Sequence, residues 1–167
     1  MAAGIRVKDA AVDEYLRGRY AWNVRTDASI HEAIEHFVRA TELDPDYGPA
    51  FAGLADCYAT LGYLSNILPA DGFSGARAAA ERAIELDGSL AEAHASLAYV
   101  HLYYDWDWRA AEREFRTALS FNPNLAIAHQ WYAVYLTAML RPGEARREIE
   151  LARGLDPLSS AIATDVG

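Results

Sequence analysis

The chain has 167 residues, among them 33 alanines, 24 acidic and 15 basic side chains, and its formal net charge is −9. That balance excludes a nucleic-acid binder resting on basic contacts to phosphate, and the single cysteine, Cys57, excludes a disulfide framework or an all-cysteine metal site. No run reaches 18 apolar residues and Met1–Lys8 lacks the apolar centre of a signal peptide, so a cytoplasmic location without membrane insertion is expected. The length suits one domain, and the alanine content favours helix over strand.

Apolar periodicity predicts helices near residues 11–24, 28–43, 48–61, 70–87, 91–104, 108–121, 126–139 and 143–155. Asp27 or Ser29 is expected to cap the second helix, and Pro69 to open the fourth. Asp107 is placed to cap the helix that starts at Trp108, and Arg141-Pro142-Gly143 forms the last turn between helices. Trp106 and Trp108 are expected to wedge against neighbouring helices, with Asp105 and Asp107 bounding a turn. Cys57 sits in an apolar helix and reads as a small buried residue.

One pattern recurs four times: Ala33, Phe37, Ala40, Pro45; Ala76, Ala80, Ala83, Gly88; Ala111, Phe115, Ala118, Pro123; Ala145, Ile149, Ala152, Pro157. The first three residues of each set share one helical face, where small side chains admit a neighbouring helix. The proline ends the helix and restricts the residue before it, so Asp44, Asn122 and Asp156 fall at the breaks. Gly88 is expected to end its helix by adopting a left-handed conformation. The closing residues lie 43, 35 and 34 apart, a period of 34 with insertions of nine, one and none. A second apolar set precedes each closing helix: Phe51, Leu54, Ala55 and Tyr58 recur as His94, Leu97, Ala98 and His101, then as His129, Tyr132, Ala133 and Leu136.

These residues resemble the tetratricopeptide repeat (TPR) family, whose pattern W-x2-L-G-x2-Y, A-x3-F, P is matched in its second half by every unit. The resemblance implies an all-α fold: a right-handed α-solenoid of stacked antiparallel helix pairs. It would form a single TPR domain over 1–167 with units near 11–45, 48–88, 91–123 and 126–159. Residues 160–167 read as part of a fifth first helix, with Ile162 and Val166 on its apolar face. The phrases YLRGRYAWN, FAGLADCYATLG and YDWDWRAAEREF resemble TPR segments of bacterial winged-helix regulators, adenylate cyclases and Ser/Thr kinases.

The family's usual peptide groove is lined by the first helices, which the resemblance carries onto Tyr15, Arg19, Trp22, Asn23, Asp56, Thr60, Tyr99, Tyr103, Gln130 and Val134. Family members that clamp acidic chaperone tails use several groove lysines, and here the only lysine, Lys8, lies outside the repeats. A protein or peptide of apolar or aromatic character is the expected partner, in a larger bacterial regulatory protein. Aromatics that only pack helix against helix are the other reading, as in a structural spacer or self-association module without a peptide ligand.

No catalytic, metal or cofactor site is expected, and the chain reads as a non-enzyme. His31-Glu32 with His36 gives HExxxH, whose imidazoles sit about 140° apart around a helix. His94, His101 and His129 occupy packing positions, and no carboxylate at ligand spacing is expected to accompany them. Asp105 and Asp107 lack the glycine and final glutamate of a calcium loop.

Overall fold

The computed structural model describes residues 2–64 and 67–159, with side chains from residue 8 onward. Among these residues there are eight α-helices and no strand: α1 (Ala2–Val24), α2 (Asp27–Leu43), α3 (Gly48–Leu64), α4 (Pro69–Leu86), α5 (Ala91–Val100), α6 (Trp108–Phe121), α7 (Ala126–Ala138) and α8 (Pro142–Leu155). They pack as the pairs α1/α2, α3/α4, α5/α6 and α7/α8, stacked in chain order. The sequence-predicted half helix at 160–167 lies outside the described residues.

The repeating alanines and phenylalanines are the core. Ala33, Phe37, Ala40, Ala76, Ala80, Ala83, Ala111, Phe115 and Ala118 are fully buried, whereas Ile149 in the last unit is only half-buried. Each buried phenylalanine contributes about 1.5–3 kcal/mol of apolar burial. Phe37 is gripped by two helices at backbone distance, since a Cβ on Gly18 would fall 2.6 Å from its ring and one on Gly53 2.5 Å.

The turns between units share one construction. Asp44, Asp87, Asn122 and Asp156 end their helices in an extended conformation, with backbone N–H groups donating to Ala40, Ala83, Ala118 and Ala152. The side chains of Asp44, Asp87 and Asn122 each accept from the N–H two residues on, an Asx turn. Gly88 therefore corrects the expectation: no glycine among the described residues has positive φ. Asp87 forms the turn by itself, so the residue after it needs no special freedom.

The turns within units are where sequence and structure diverge. Thr26, not Asp27 or Ser29, caps α2: its hydroxyl accepts from the Ser29 N–H while Ser29 Oγ accepts from the Thr26 N–H, a reciprocal capping box. Pro69 opens α4 and Asp107 caps α6, as predicted. The predicted helix 91–104 instead widens into a π-helical turn, His101–Asp105, closed by Trp106 at φ 58°. The N–H of Asp107 reaches back to the His101 carbonyl, while in unit four Arg141 reaches back to Leu136, one residue less. The π-turn thus absorbs the single extra residue of unit three. Trp106 corrects a second expectation: it is 68 % exposed, and only Trp108 packs against the core.

Candidate interaction surface

Successive first helices α1, α3, α5 and α7 touch along the stack, while the second helices diverge. Curvature of this sense makes the first helices the inner face. The arc brings residues from both ends together, for Asn23, Val24 and Arg25 share a pocket of about 490 Å³ with Asp156, Leu158 and Ser159.

Arg19 in α1, Asp56 in α3, Tyr99 in α5 and Val134 in α7 hold the same register, each one residue after Gly18, Ala55, Ala98 or Ala133. Asp56 is completely buried; it accepts from Arg19 Nη1 at 2.8 Å and from Ser96 Oγ at 2.6 Å. One carboxylate thereby joins the first helices of three units. Burial raises the Asp56 carboxyl above the ordinary range, and Arg19 and Ser96 pull it back towards ionisation. Burial opposes the charge on Arg19, and Asp56, Tyr15 and Glu92 together outweigh it, so the guanidinium is held more firmly protonated than usual. Arg19 stays partly exposed. With Tyr15, Glu92 and Leu90 it lines a small cavity of about 100 Å³ on the inner face.

The aromatic candidates divide by burial. Trp22 is buried, with the guanidinium groups of Arg19 and Arg25 at 4.8 and 4.3 Å from its ring centroid. Its indole N–H has no acceptor among the described residues. Tyr15 packs between Phe37 and Tyr47. Tyr99 is buried against Trp131 of α7 at 4.4 Å and Tyr103 at 4.5 Å, and Tyr63 of α3 lies on Tyr103 at 4.8 Å. Tyr63, Tyr103, Tyr99 and Trp131 thus form a continuous aromatic run over three units, with Tyr63 exposed and Tyr103 half-exposed. Tyr63 and Trp131 were not among the sequence candidates. Tyr63 lies inside the nine-residue insertion GYLSNILPA, which has no repeat register to place it, and Trp131 precedes by one residue the apolar position that defines the unit. Of the remaining candidates, Asn23 is exposed, Thr60 bonds the Asp56 carbonyl at 2.8 Å, Gln130 is buried and Val134 half-buried.

No known family profile matches the sequence, and no curated protein matches it. Solved structures do: a thermophilic TPR protein of Thermus thermophilus superposes with a TM-score of 0.68, over 92 % of this chain and 79 % of that one, at 16 % identity. The chain has the tetratricopeptide-repeat fold. The TPR domain of Arabidopsis OM64 matches 70 % of the chain and 93 % of its own length, at TM-score 0.52 and 16 % identity. MamA matches 80 % of the chain and 72 % of its own length, at TM-score 0.51 and 21 % identity.

Within this TPR fold the histidines have local partners. His31 Nδ1 bonds the Asp27 carbonyl at 2.9 Å, and His36 Nδ1 bonds Glu14 at 2.7 Å, so the two rings of HExxxH are engaged separately. His94 and His129 do have carboxylates, Glu114 and Glu148, supplied by the second helix of their own units at 2.8 and 2.6 Å. Spacing along one helix carried no sign of them. His101 corrects the expectation most directly: it bonds Asp105, four residues on, which also accepts from Arg77 of α4. Among the described residues no three His, Cys, Asp or Glu side chains cluster as metal ligands. Cys57 is buried as expected, and burial pushes its thiol well above the usual range, which leaves it protonated and unreactive. No helix among these residues is long and apolar enough to cross a membrane.

Proposed function

We propose that the chain is a non-catalytic protein–protein interaction scaffold whose inner face holds a peptide or partner segment of apolar and aromatic character. The observation that carries this reading is the aromatic run Tyr63–Tyr103–Tyr99–Trp131. Its buried end fixes the geometry and its open end offers ring faces to a ligand. Arg19 supports it from unit one as a cation held in place by a fully buried carboxylate, so little side-chain entropy remains to be lost on binding. Asp56 and Trp22 have almost no exposed surface and act through Arg19. On this reading the scaffold serves a larger bacterial regulatory protein in the cytoplasm, and its partner is neither nucleic acid nor an acidic chaperone tail.

The test is selection from a displayed library of random peptides against the intact chain. Peptides enriched in aromatic and aliphatic side chains are expected, and a double change Tyr63→Ala with Tyr103→Ala should abolish capture while the helical circular-dichroism signal and melting stay within a few degrees. Capture that survives the double change overturns the aromatic assignment. Tyr99→Ala serves as the folding control, because removing a buried ring costs about 3–5 kcal/mol.

Self-association is the second reading, favoured by the end of the stack. There Ala133, Val134, Thr137, Ala145 and Ile149 line an open groove of about 740 Å³. Light scattering across concentration separates the two: a strictly monomeric chain removes self-association and leaves peptide capture standing.

A further inference from the structure

When the units are aligned on their repeats, one position in the first helix and one in the second meet in units one, three and four. Unit one places Glu14 against His36 there, unit two Phe51 and Ala79, unit three His94 against Glu114, and unit four His129 against Glu148. The three imidazole–carboxylate contacts measure 2.7, 2.8 and 2.6 Å, and the polarity of the first is reversed. All six side chains are largely buried.

The second ring nitrogen separates the three contacts into two kinds. His94 Nε2 lies 3.0 Å from the Gly88 carbonyl and His129 Nε2 2.8 Å from the Pro123 carbonyl, each in the turn from the preceding unit. His36 Nε2 has only Glu32 at 3.9 Å, beyond hydrogen-bond reach. A neutral imidazole has one N–H and cannot donate to oxygen acceptors on both sides; only the doubly protonated ring can. His94 faces Glu114, which Arg113 also contacts at 3.3 Å, and the ring of Phe121; His129 faces Glu148. Neither ring makes another ion pair among the described residues. The Glu114 carboxyl is held below its usual range, first by its bond to His94, so it is an acceptor in this pair.

We propose that His94 and His129 are resident imidazolium clasps that tie each inter-unit turn to both helices of the next unit, and that raising the pH loosens unit three at His94 while unit two stays closed. The Glu114 bond raises the His94 pKa against desolvation, with a further contribution from Gly88. A raised folded-state value means the stabilisation is complete below the ordinary imidazole range and is lost as pH rises through the folded value. In unit two the matching positions hold Phe51 and Ala79, neither of which titrates, and Phe51 packs against Ala83 and Ala93 with the Arg82 guanidinium 5.9 Å from its ring.

Long-range nitrogen–proton NMR of the imidazoles on the intact chain tests this directly. At about pH 6 the His94 and His129 rings should both show two protonated nitrogens. Amide hydrogen exchange, corrected for its intrinsic pH dependence, should then speed up roughly fivefold for residues 88–98 between about pH 6 and pH 8.5, the loss of about one hydrogen bond. Residues 50–60 should not change. A neutral ring at pH 6, or equal acceleration in unit two, overturns the proposal. Glu114→Gln keeps an acceptor and removes the charge, and should shift the His94 titration downward. Should that variant fail to fold, the exchange contrast between units in the unmodified chain still decides the matter.

Discussion

The two halves of the stack hold their helices together by different means. In units one and two the contacts are backbone-close: Phe37 lies between Gly18 and Gly53, and a Cβ on Gly72 would fall 2.6 Å from the Gly62 Cα. In units three and four the glycines have open space instead, with nothing within 4 Å of a Cβ at Gly143 or Gly154. The first half has ion pairs as well, Arg19–Asp56 and His36–Glu14, but in the second half charged contacts stand without such backbone-close glycines. Glu112 of α6 accepts from Arg141 at 2.7 Å, Arg116 at 2.8 Å, Tyr132 at 3.2 Å and Tyr135 at 3.3 Å, beside the two histidine clasps. Steric fit is insensitive to pH and intolerant of a methyl group; ion pairing is the reverse. One repeat pattern therefore accommodates two chemistries.

The largest effect should come from the steric half. Phe37→Ala empties a site with no exposed surface and should cost about 3–5 kcal/mol, whereas Ile149→Ala at the matching but half-buried position of unit four should cost about half of that. Urea unfolding of the two variants measures the gap; equal losses would remove the contrast. Next is Gly72→Ala, which drives a methyl group into the backbone of α3 and should cost about 1–3 kcal/mol after its gain in helix propensity. The same substitution at Gly154, inside α8 with room around it, should stabilise by up to about 1 kcal/mol. Opposite signs in thermal melts sharpen the comparison, and matching signs break it.

Acid titration addresses the charged half. Arg141 first, with Arg116 and Tyr132, holds the Glu112 carboxyl below its usual range. A depressed carboxyl contributes above the unfolded value near 4.3 and loses that contribution as pH falls through the folded one. Glu112→Gln should therefore lower stability at pH 7 to 8 and flatten the acid limb, so that urea unfolding shows the gap to the unmodified chain closing as the pH falls. The smallest expected effect is at Leu140, a leucine at φ 57° and 88 % exposed. Leu140→Gly should relieve strain of the order of 1 kcal/mol and raise the melting temperature slightly.

Most of this architecture was legible because each unit repeats its own instructions. The alanine and phenylalanine positions recur at fixed offsets, so every helix was placed with its ends within a few residues except α1, which begins at Ala2 and not near residue 11, ahead of the first repeat position. Thr26 was passed over as a cap because Thr-Asp-Ala-Ser offers three capping side chains in four residues, and geometry alone chooses among them. The inner-face positions were assigned by register, which says where a side chain points and little about how deep it lies. Asp56 carried a readable sign, an opposite charge at the same register in the preceding unit, Arg19. The histidine clasps were illegible for a different reason. Their partners lie 20 and 19 residues away on the opposing helix, outside any single-helix period.

The π-turn of unit three has a bearing on how such a chain tolerates change. An extra residue in a loop alters only the loop, but one held inside a helix rotates everything after it by about 100° unless the helix itself gives way. Here it gives way over His101–Asp105, and the polypeptide beyond resumes its phase: seventeen residues separate Trp106 from Pro123, and seventeen separate Leu140 from Pro157. The bulge works as an expansion joint, confining a change in length to one turn of one unit. It also marks the place where a residue can be deleted and the repeat return to its plain 34-residue form, with α7 and α8 still in step.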